Sequence, residues 1–526
     1  MIQRTSGIAT VFVLITLTLA ACGAADADPT STPPSGSNAP GRDSDSDDPS
    51  KPAPPPPVVG EPEEAELTEA YGVFVVAGAA VDGPGTREHP IGTISGALVR
   101  AKAESKRVYV CAGTYKESVV LEDAIPVVGG FDCSEHRWKR GAQRSRIESP
   151  TSPALRAKDI VTTTRFDSFE VVAPDTFAPS ASSIAFVAES ASGLEIVKSK
   201  LEARAAGDGA DGVDGIQLSL GAAARGGAAE GSAPFVPGPL KAVAWRSGGE
   251  GGAGACIGAP GHDGESGGAG GSGGTYLCTE FPTQQGTSSK LEWDWYATLL
   301  GTKYTRGLGE VRSGRPGSDG ASGASATTMG VFTPDGYAPA NGQPGAHGAP
   351  GRGGSGAAGE RSKQYQACAP KGYILYGADG AGGGAGGCPG LAGTPGTGGG
   401  ASVAALVFAS PDLTFDESEL VAGRGGRGGR GTLGSLATAG GAPGTRPSNT
   451  DAAGAGGAGG RAGVSGSGAG GPSIALAHSG TAPKTINGTT TKVGLGGAGV
   501  EEQSKVGYTL RVPASAAGIT KEVYAF

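Results

Sequence analysis

The chain has 526 residues, of which 99 are glycine, and charged residues make up only 17% of it. The 50 acidic and 42 basic residues give a formal charge of -8, so no basic excess is present to hold a nucleic-acid backbone. Hydrophobic residues make up 37% and aromatic residues 6% of the chain. This composition excludes one large compact core and predicts an extended architecture with a thin core.

The amino terminus has the pattern of an export signal. Arg4 precedes an apolar run over residues 8–19, which is too short for a membrane-spanning helix and is typical of a signal-peptide core. The run ends Leu-Ala-Ala-Cys at Cys22, and this string resembles the lipobox of bacterial lipoproteins. The resemblance implies acylation of Cys22 and, because Gly23 follows, an outer-membrane anchor, which we expect at the cell surface. An ordinary secretory signal is the alternative.

The next segment has the composition of a tether. Residues 23–66 consist mainly of proline, serine, aspartate and alanine, and a segment with so few large apolar side chains cannot bury a core. A coil of this length spans roughly 35 to 40 Å, and prolines extend it further. We therefore predict a disordered linker between the membrane anchor and a folded head.

The head begins with short β-rich runs around one helical pattern. Residues 71–76 form an apolar, β-rich run, and apolar residues recur at helical spacing over residues 94–101. Residues 74–130 resemble the amino-terminal end of pectin-lyase-like right-handed β-helices, with Pro-Ile-Gly-Thr-Ile-Ser-Gly-Ala-Leu as the cap helix and Gly-Thr-Tyr-Lys-Glu-Ser-Val as a first coil. The resemblance implies a mainly β fold, a right-handed parallel β-helix, and specifies the scaffold only.

Similar units recur later in the chain, as stacked repeats require. Residues 183–203 join two alternating apolar runs through a polar turn, and residues 402–422 and 473–494 repeat this pattern. A fainter copy spans residues 154–172. Glycine tracts follow the later units directly. We therefore predict a short β-helix that is interrupted by glycine-rich insertions, all of which leave it at one repeated corner.

These patterns divide the chain into seven segments. Loop closure costs only about 0.6 kcal/mol per doubling of length, so long insertions are tolerated. If the repeats stack, Leu194, Leu413 and Leu476 share one core. The segments are the signal peptide with its lipobox (1–22), the tether (23–66), the cap helix and first coils (67–206), a glycine-rich insertion (207–400), one coil (401–422), a second glycine-rich insertion (423–472) and the last coil with its end cap (473–526).

Within each tract, glycine falls on every third residue, as at Gly258, Gly261 and Gly264. This is the period of the polyproline II helix, which places the glycines along one edge. The tracts resemble glycine-rich antifreeze proteins, phage-adhesin tips and PE-PGRS-like sequences in this period, which implies bundled polyproline II-like helices with hydrogen bonds between tracts. A loosely ordered coil is the alternative. Collagen is disfavoured because the runs stop after roughly three to six triplets.

Cysteine usage supports export. An even number remains once Cys22 carries lipid, which predicts three disulfides in an oxidising compartment. A bond between Cys111 and Cys133 would join the first coils. A straight polyproline II tract holds Cys256 too far from Cys278 for a bond, which favours cross-tract bonds from these two to the last two cysteines. The six candidates are Cys111, Cys133, Cys256, Cys278, Cys368 and Cys388.

Two charged rows at spacing three are candidate ligand sites. The acidic row consists of Asp208, Asp211 and Asp214. The basic row consists of Arg424, Arg427 and Arg430. The acidic row predicts a solvated acidic edge, with a weak calcium site as the alternative. For the basic row, surface charge or pairing with an acidic edge is the favoured interpretation, and binding of phosphate or uronate groups is the alternative.

The densest aromatic patch contains Trp293, Trp295 and Tyr296. Burial of this patch in a local core is the favoured interpretation. Exposed aromatic rings stack on sugars, so the patch is also the best candidate for ligand contact in the chain. The five histidines are dispersed without metal-ligand spacing, so the sequence predicts no cofactor beyond the calcium alternative.

These features predict a lipid-anchored cell-surface protein with a structural or adhesive role, which contacts surface glycans or other cells, binds no nucleic acid and catalyses no reaction. One alternative is a β-helix carbohydrate-active enzyme, a polysaccharide lyase or hydrolase, for which Asp167 and Asp416 are the carboxylates to test. The resembled enzymes use a groove along many regular coils, whereas about six interrupted coils are predicted here. A second alternative is a passive surface coat or an ice-binding module.

Overall fold

The computed structural model describes residues 60–134, 137–229, 248–270, 312–357, 379–446, 452–505 and 508–526, together with the backbone of residues 236–237, 275–277 and 373–376. The predicted signal peptide and most of the predicted tether lie outside the described residues.

The described residues form a mainly β structure. The helices are α1 (Ile94–Glu104) and the short 3₁₀ turns Glu64–Glu66 and Ala222–Ala224. The strands are β1 (Gly72–Val75), β2 (Arg107–Cys111), β3 (Thr114–Tyr115), β4 (Val119–Leu121), β5 (Val127–Asp132), β6 (Lys139–Arg140), β7 (Ser145–Glu148), β8 (Leu155–Lys158), β9 (Thr164–Asp167), β10 (Phe169–Val172), β11 (Ser183–Glu189), β12 (Leu194–Val197), β13 (Lys200–Ala203), β14 (Ser219–Leu220), β15 (Val236–Pro237), β16 (Cys256–Ile257), β17 (Thr275–Leu277), β18 (Val331–Thr333), β19 (Gly336–Ala338), β20 (Tyr373–Tyr376), β21 (Ser402–Phe408), β22 (Thr414–Asp416), β23 (Glu419–Ala422), β24 (Ser473–His478), β25 (Lys484–Ile486), β26 (Thr490–Val493) and β27 (Thr520–Ala525).

Most strands belong to three sheets. Sheet A has the order β1-β2-β5-β9-β12-β22-β25, with β6 beside β5, sheet B the order β26-β23-β13-β10-β7-β3, and sheet C the order β27-β24-β21-β11-β8-β4. From β21 onwards the chain visits sheets C, A and B in turn, and each strand pairs in parallel with its counterpart from an earlier round. The prediction of a mainly β fold with parallel sheets is confirmed.

The repeated units pack in register, and their equivalent side chains meet in one core. Ser183 of β11 pairs with Ser402 of β21 in parallel. Leu194, Leu413 and Leu476 belong to one buried cluster, as the repeat pattern predicts. Side chains that recur in the sequence at equivalent positions therefore meet in one core, rather than in separate cores.

The turn from sheet A to sheet B begins with a residue of positive φ in successive rounds. The first residues of these turns are Ser168 (φ 62°), Lys198 (48°), Glu417 (45°) and Asn487 (47°). The Ser199 hydroxyl accepts the Phe169 N–H at 3.1 Å and donates to the Val197 carbonyl at 2.7 Å. Ser418 repeats this arrangement one round later. Buried hydroxyls therefore satisfy peptide groups where the turn interrupts the strand hydrogen bonds.

The main core combines side chains from all three sheets and the helix. Phe166 of sheet A stacks on Phe169 of sheet B with ring centroids 4.2 Å apart. Phe186 of sheet C, together with Ile94 and Leu98 of α1, is buried in the same cluster. The helix therefore contributes directly to the core that the strands enclose.

The sequence prediction of a helix near residue 94 is confirmed, and its ends have local causes. The Thr93 side chain caps the amino terminus by accepting a backbone N–H. The Glu117 carboxylate accepts the Ile94 N–H at 2.8 Å, which satisfies another free donor of the first turn. The helix stops at Ser105, whose φ of 51° is left-handed.

Sheet C is also covered on a second face. Phe332, from the hairpin of β18 and β19, packs in a cluster with Ile184, Leu406 and Ile474. The hairpin lies within residues 207–400, where the sequence predicted only a glycine-rich insertion. Strands β11, β21 and β24 of sheet C are almost continuously buried for this reason.

Glycine-rich segments connect sheet B to sheet C. They begin after β13, β23 and β26 and lead back into β21, β24 and β27. Residues 312–327 form no helix or strand, yet the N–H of Gly317 donates to Ala458 at 2.9 Å and that of Gly320 to Arg461 at 2.9 Å. We refer to the following described residues as the glycine-rich region: 207–229, 248–270, 312–327, 339–357, 379–401, 423–446, 452–472, 494–500 and 513–518.

Candidate functional site

Residues 379–391 are buried inside the glycine-rich region, and their peptide groups form hydrogen bonds in several directions. Successive N–H groups donate, at 2.8 to 3.1 Å, from Gly382 to Gly227, from Gly383 to Gly268, from Gly384 to Gly454, from Ala385 to Ala224, from Gly386 to Glu265 and from Gly387 to Gly457. Every third N–H therefore points to the same neighbouring segment. This is the backbone satisfaction that buried peptide groups require.

The carbonyls of the same residues accept hydrogen bonds from three further segments. The acceptor pairs are Gly383 with the Gly252 N–H (2.9 Å), Gly384 with the Gly354 N–H (2.8 Å) and Ala385 with the Gly441 N–H (2.7 Å). Residues 382–387 are thus surrounded by six segments, of which three accept from them and three donate to them. Because peptide groups supply the contacts in place of side chains, the interior of this region is polar, and every N–H group of residues 382–387 donates a hydrogen bond.

Close packing explains why glycine recurs in these segments. A Cβ atom on Gly384 would lie closer than 3.0 Å to the carbonyl oxygen of Gly441, and one on Gly387 would approach the Thr438 carbonyl in the same way. Backbone atoms cannot swing aside as a flexible side chain does, so any substitution must separate two hydrogen-bonded segments.

Side chains also accept hydrogen bonds from neighbouring segments. Examples are the Ala210 N–H to Thr397 (2.8 Å), the Cys388 N–H to Thr438 (2.7 Å), the Ser467 N–H to Ser325 (3.0 Å) and the Arg461 N–H to Asp319 (2.7 Å). These acceptors were missed in the sequence. The available signal was the recurrence of serine, threonine and aspartate among the triplets, because short oxygen-bearing side chains bond readily to nearby peptide groups.

The acidic row and the basic row lie side by side. Arg424 Nη2 is 3.2 Å from Asp208 Oδ1, and Arg427 Nη1 is 3.1 Å from Asp211 Oδ1. The same two carboxylates accept the backbone N–H groups of Arg427 (2.9 Å) and Arg430 (2.8 Å). The interpretation in which the arginines pair with an acidic edge is therefore what the structure contains at these positions.

These contacts pair two of the three carboxylates of the acidic row with arginine side chains. Burial alone raises the pKa of the Asp211 carboxyl, but hydrogen bonds from Arg430 and Arg427 outweigh burial and lower this pKa overall. A calcium ion at Asp208 and Asp211 must compete with guanidinium groups for the same oxygens. The described residues contain no group of three or more histidine, cysteine or acidic side chains that could hold a metal ion.

Two disulfides join parts of the described chain. They are Cys111–Cys133 and Cys256–Cys388, each with 5.8 Å between the Cα atoms. The first is the predicted bond, and the second joins two glycine-rich segments, as the predicted cross-tract bonds require. The predicted site residues outside the described part of the chain are Cys22, Cys278, Cys368, Trp293, Trp295 and Tyr296.

Asp167, which the enzyme alternative singles out, is fully buried in a polar cluster. Its Oδ1 accepts from Ser168 at 2.7 Å and from Arg140 at 3.1 Å, and Arg165 donates to its Oδ2 at 2.9 Å. Burial alone raises the pKa of Asp167, but these contacts outweigh burial and lower it. Asp416 lies in the same sheet with one strand between them. The enclosed carboxylate of Asp167 presents no surface to a polymeric substrate.

A groove of about 660 Å³ lies between segments of the glycine-rich region. Its lining brings Asp263 and Glu265 together with Ser318 and Arg352. The lining contains side chains of both charge signs, together with Pro316 and Pro350. This surface is therefore polar but not strongly charged.

No protein-family model, curated protein or solved structure matches the chain. Among the described residues, none of the helices has the length and apolar character that a membrane span needs. Function is therefore inferred from the residues of this chain and their arrangement.

Proposed function

We propose that the protein is a lipid-anchored cell-surface protein whose head has a structural or adhesive role. Acylated Cys22 would hold it in the outer membrane, and residues 23–66 would separate the membrane from the head. The head would be a short right-handed parallel β-helix that carries polyproline II-like glycine-rich insertions. Its contacts would be with surface glycans or with other cells.

The strand arrangement supports the β-helix. Parallel strands visit three sheets in a repeating order, turns with positive φ recur at equivalent positions, and one cluster holds core residues from successive rounds. A chain that rises by one strand spacing in each round has these three properties, because each round buries its apolar face against the next.

The observation that carries the proposal is the hydrogen-bonded interior of the glycine-rich region. A spacer with no rigid role gains nothing from burying peptide groups, whereas residues 379–391 are buried and bonded in six directions. A hydrogen-bond direction that recurs every third residue is the geometry of packed polyproline II helices. A rigid body of this kind, held away from the membrane by a tether, suits mechanical or adhesive contact.

The anchor is tested first. Replacing the lipidated cysteine, Cys22→Ala, should abolish labelling of the chain with radioactive palmitate and release it from the outer-membrane fraction. The matched control is Gly23→Ala, which preserves the cysteine and leaves labelling intact. Outer-membrane retention of unlabelled Cys22→Ala protein would contradict lipid anchoring.

Adhesion is tested separately from anchoring. Cells that display the full chain should attach to glycan-coated or cell-coated surfaces, and Gly384→Ala with Gly387→Ala should reduce attachment because both substitutions separate packed segments. Surface amounts are matched with an antibody. Gly141→Ala, where an added Cβ makes only ordinary contacts, is the control. Equal attachment by displaying and non-displaying cells would favour a passive coat.

A further inference from the structure

A second groove, of about 390 Å³, lies between two glycine-rich segments and the chain near residue 508. We call it the Tyr508 groove. Its lining includes Leu433, Ser435, Leu436, Thr438, Arg461 and Tyr508. The groove therefore combines apolar side chains, hydroxyls, a guanidinium group and an aromatic ring. Its volume lies within the range of small-ligand sites, roughly 300 to 1,000 Å³.

Two hydroxyls in the Tyr508 groove have protons that the described residues do not use. Ser435, only 6% exposed, accepts the Leu391 N–H at 2.8 Å. Thr438 accepts the Cys388 N–H at 2.7 Å. Neither hydroxyl donates to an acceptor among the described residues, although each oxygen is held in place by the bond it accepts. Ser435 is buried and Thr438 partly buried, and donors at such positions favour a ligand that carries acceptor oxygens.

The charged and aromatic groups of the Tyr508 groove restrict the ligand further. Arg461 donates to Thr509 at 2.7 Å through one nitrogen, which leaves its other N–H groups for a carboxylate. The Tyr508 ring has the Lys505 ammonium 5.4 Å from its centroid. Tyr508 and Leu436, which is 47% exposed, offer apolar surface on which a sugar ring can lie.

We propose that the Tyr508 groove binds a short acidic oligosaccharide of uronic acid units. A uronate carboxylate would pair with Arg461, sugar oxygens would accept from Ser435 and Thr438, and a pyranose face would lie against Tyr508. The biological use of this site rests on the proposed adhesive function, whereas binding itself is a property of the groove alone.

Calorimetric titration of the purified full chain with trigalacturonate tests the groove. The methyl ester of the same trisaccharide keeps the rings and removes the charge, and it should bind at least about tenfold more weakly. Arg461→Ala should weaken trigalacturonate binding by about tenfold and remove the preference for the acid, while Arg461→Lys should retain part of the preference. The backbone N–H of residue 461, which bonds to Asp319, is preserved in both variants.

The matched control is Arg511→Ala, because Arg511 lies near the groove in sequence but pairs with Glu502 at 2.7 Å. This variant should bind trigalacturonate as the unsubstituted chain does. Tyr508→Ala should weaken binding of both the acid and the ester, since it removes the stacking surface. The assignment is overturned by absence of binding, by equal affinity for acid and ester, or by unchanged binding in Arg461→Ala.

Cell attachment separates this inference from the proposed function. A chain that attaches to cells but does not bind trigalacturonate overturns the groove assignment and leaves adhesion standing. A chain that binds trigalacturonate through Arg461, yet confers no attachment, upholds the groove and overturns the adhesive function. Joint loss of binding and attachment in Arg461→Ala supports both.

Discussion

The three sheets and the glycine-rich region are both buried, but different groups fill their interiors. In the sheets, side chains such as Phe166, Phe186 and Phe415 are fully enclosed, and burial of apolar area stabilises the fold. In residues 379–391, peptide groups occupy the interior and form hydrogen bonds with six neighbouring segments. The two regions of one chain therefore place opposite requirements on the residues that they bury. The sheets need their large side chains, whereas the glycine-rich segments need the absence of side chains.

The largest effect is expected from removing a side chain in the sheets. Phe415→Ala should lower the free energy of unfolding by about 4 kcal/mol, because it deletes a ring that is 0% exposed and leaves a cavity. Denaturant unfolding, followed through a spectroscopic signal of the β-sheets, measures the change in this free energy. Val120→Ala, at a position that is 54% exposed on β4, is the control and should change stability little. A similar small change for both variants would show that sheets A to C share no tight core.

Adding a methyl group to the glycine-rich region should cost nearly as much. Gly384→Ala is expected to destabilise that region by about 3 kcal/mol, because the new Cβ meets the backbone of residues 441 and 442 and disturbs hydrogen bonds on two sides. The control is Gly141→Ala, whose Cβ would be 3.4 Å from its nearest neighbour. Limited proteolysis and thermal unfolding report the difference. Equal stability of the two variants would mean that residues 379–391 are loosely packed.

A smaller, pH-dependent effect is expected at the turn of sheet A. Asp167→Asn should destabilise the protein by about 2 kcal/mol near neutral pH, because Arg140 and Arg165 lose a buried charged partner. Since the folded pKa of Asp167 is lowered, its stabilisation is present above the unfolded pKa of about 3.9 and is lost as pH falls through the folded pKa.

The measurement is the difference in unfolding free energy between the unsubstituted chain and Asp167→Asn from pH 7 to pH 2. The difference should shrink below about pH 4. A difference that is constant over this range would show that the charge of Asp167 does not stabilise the fold.

The smallest effect is expected from the exposed pairing of the two charged rows. Asp211→Asn should change stability by about 0.5 kcal/mol or less, because solvent screens the ion pair with Arg427, whose side chain is 41% exposed. The amide oxygen of asparagine can still accept the Arg430 N–H. Asp214→Asn is the control, since Asp214 forms no ion pair among the described residues. A loss of several kcal/mol in Asp211→Asn would show that charge, rather than backbone bonding, holds these segments together.

Local patterns in the sequence were sufficient for part of the fold. The helical spacing after residue 94, the β-rich runs, the repeated units and the Cys111–Cys133 bond were all predicted, because each depends on neighbouring residues or on a strict repeat. The shared core of Leu194, Leu413 and Leu476 also followed from the repeat.

Contacts between segments that are distant in sequence could not be predicted in the same way. Asp208 meets Arg424 across 216 residues, and the sequence gives no register for such a pairing. The covering hairpin of β18 and β19 was missed because its short strands lie within glycine-rich sequence. The hydroxyls of Ser435 and Thr438 can be identified as candidate ligand donors only when the segments whose N–H groups they accept are known. The candidate ligand groove could therefore not be predicted from residue spacing.

Amide hydrogen exchange of the native full chain, followed by mass spectrometry, tests the central claim most directly. If residues 379–391 are enclosed and hydrogen-bonded to six segments, their peptides should exchange as slowly as those from β21, which follows them in the chain. Exchange of residues 379–391 at the rate of an unstructured peptide, with β21 still protected, would contradict an ordered glycine-rich region.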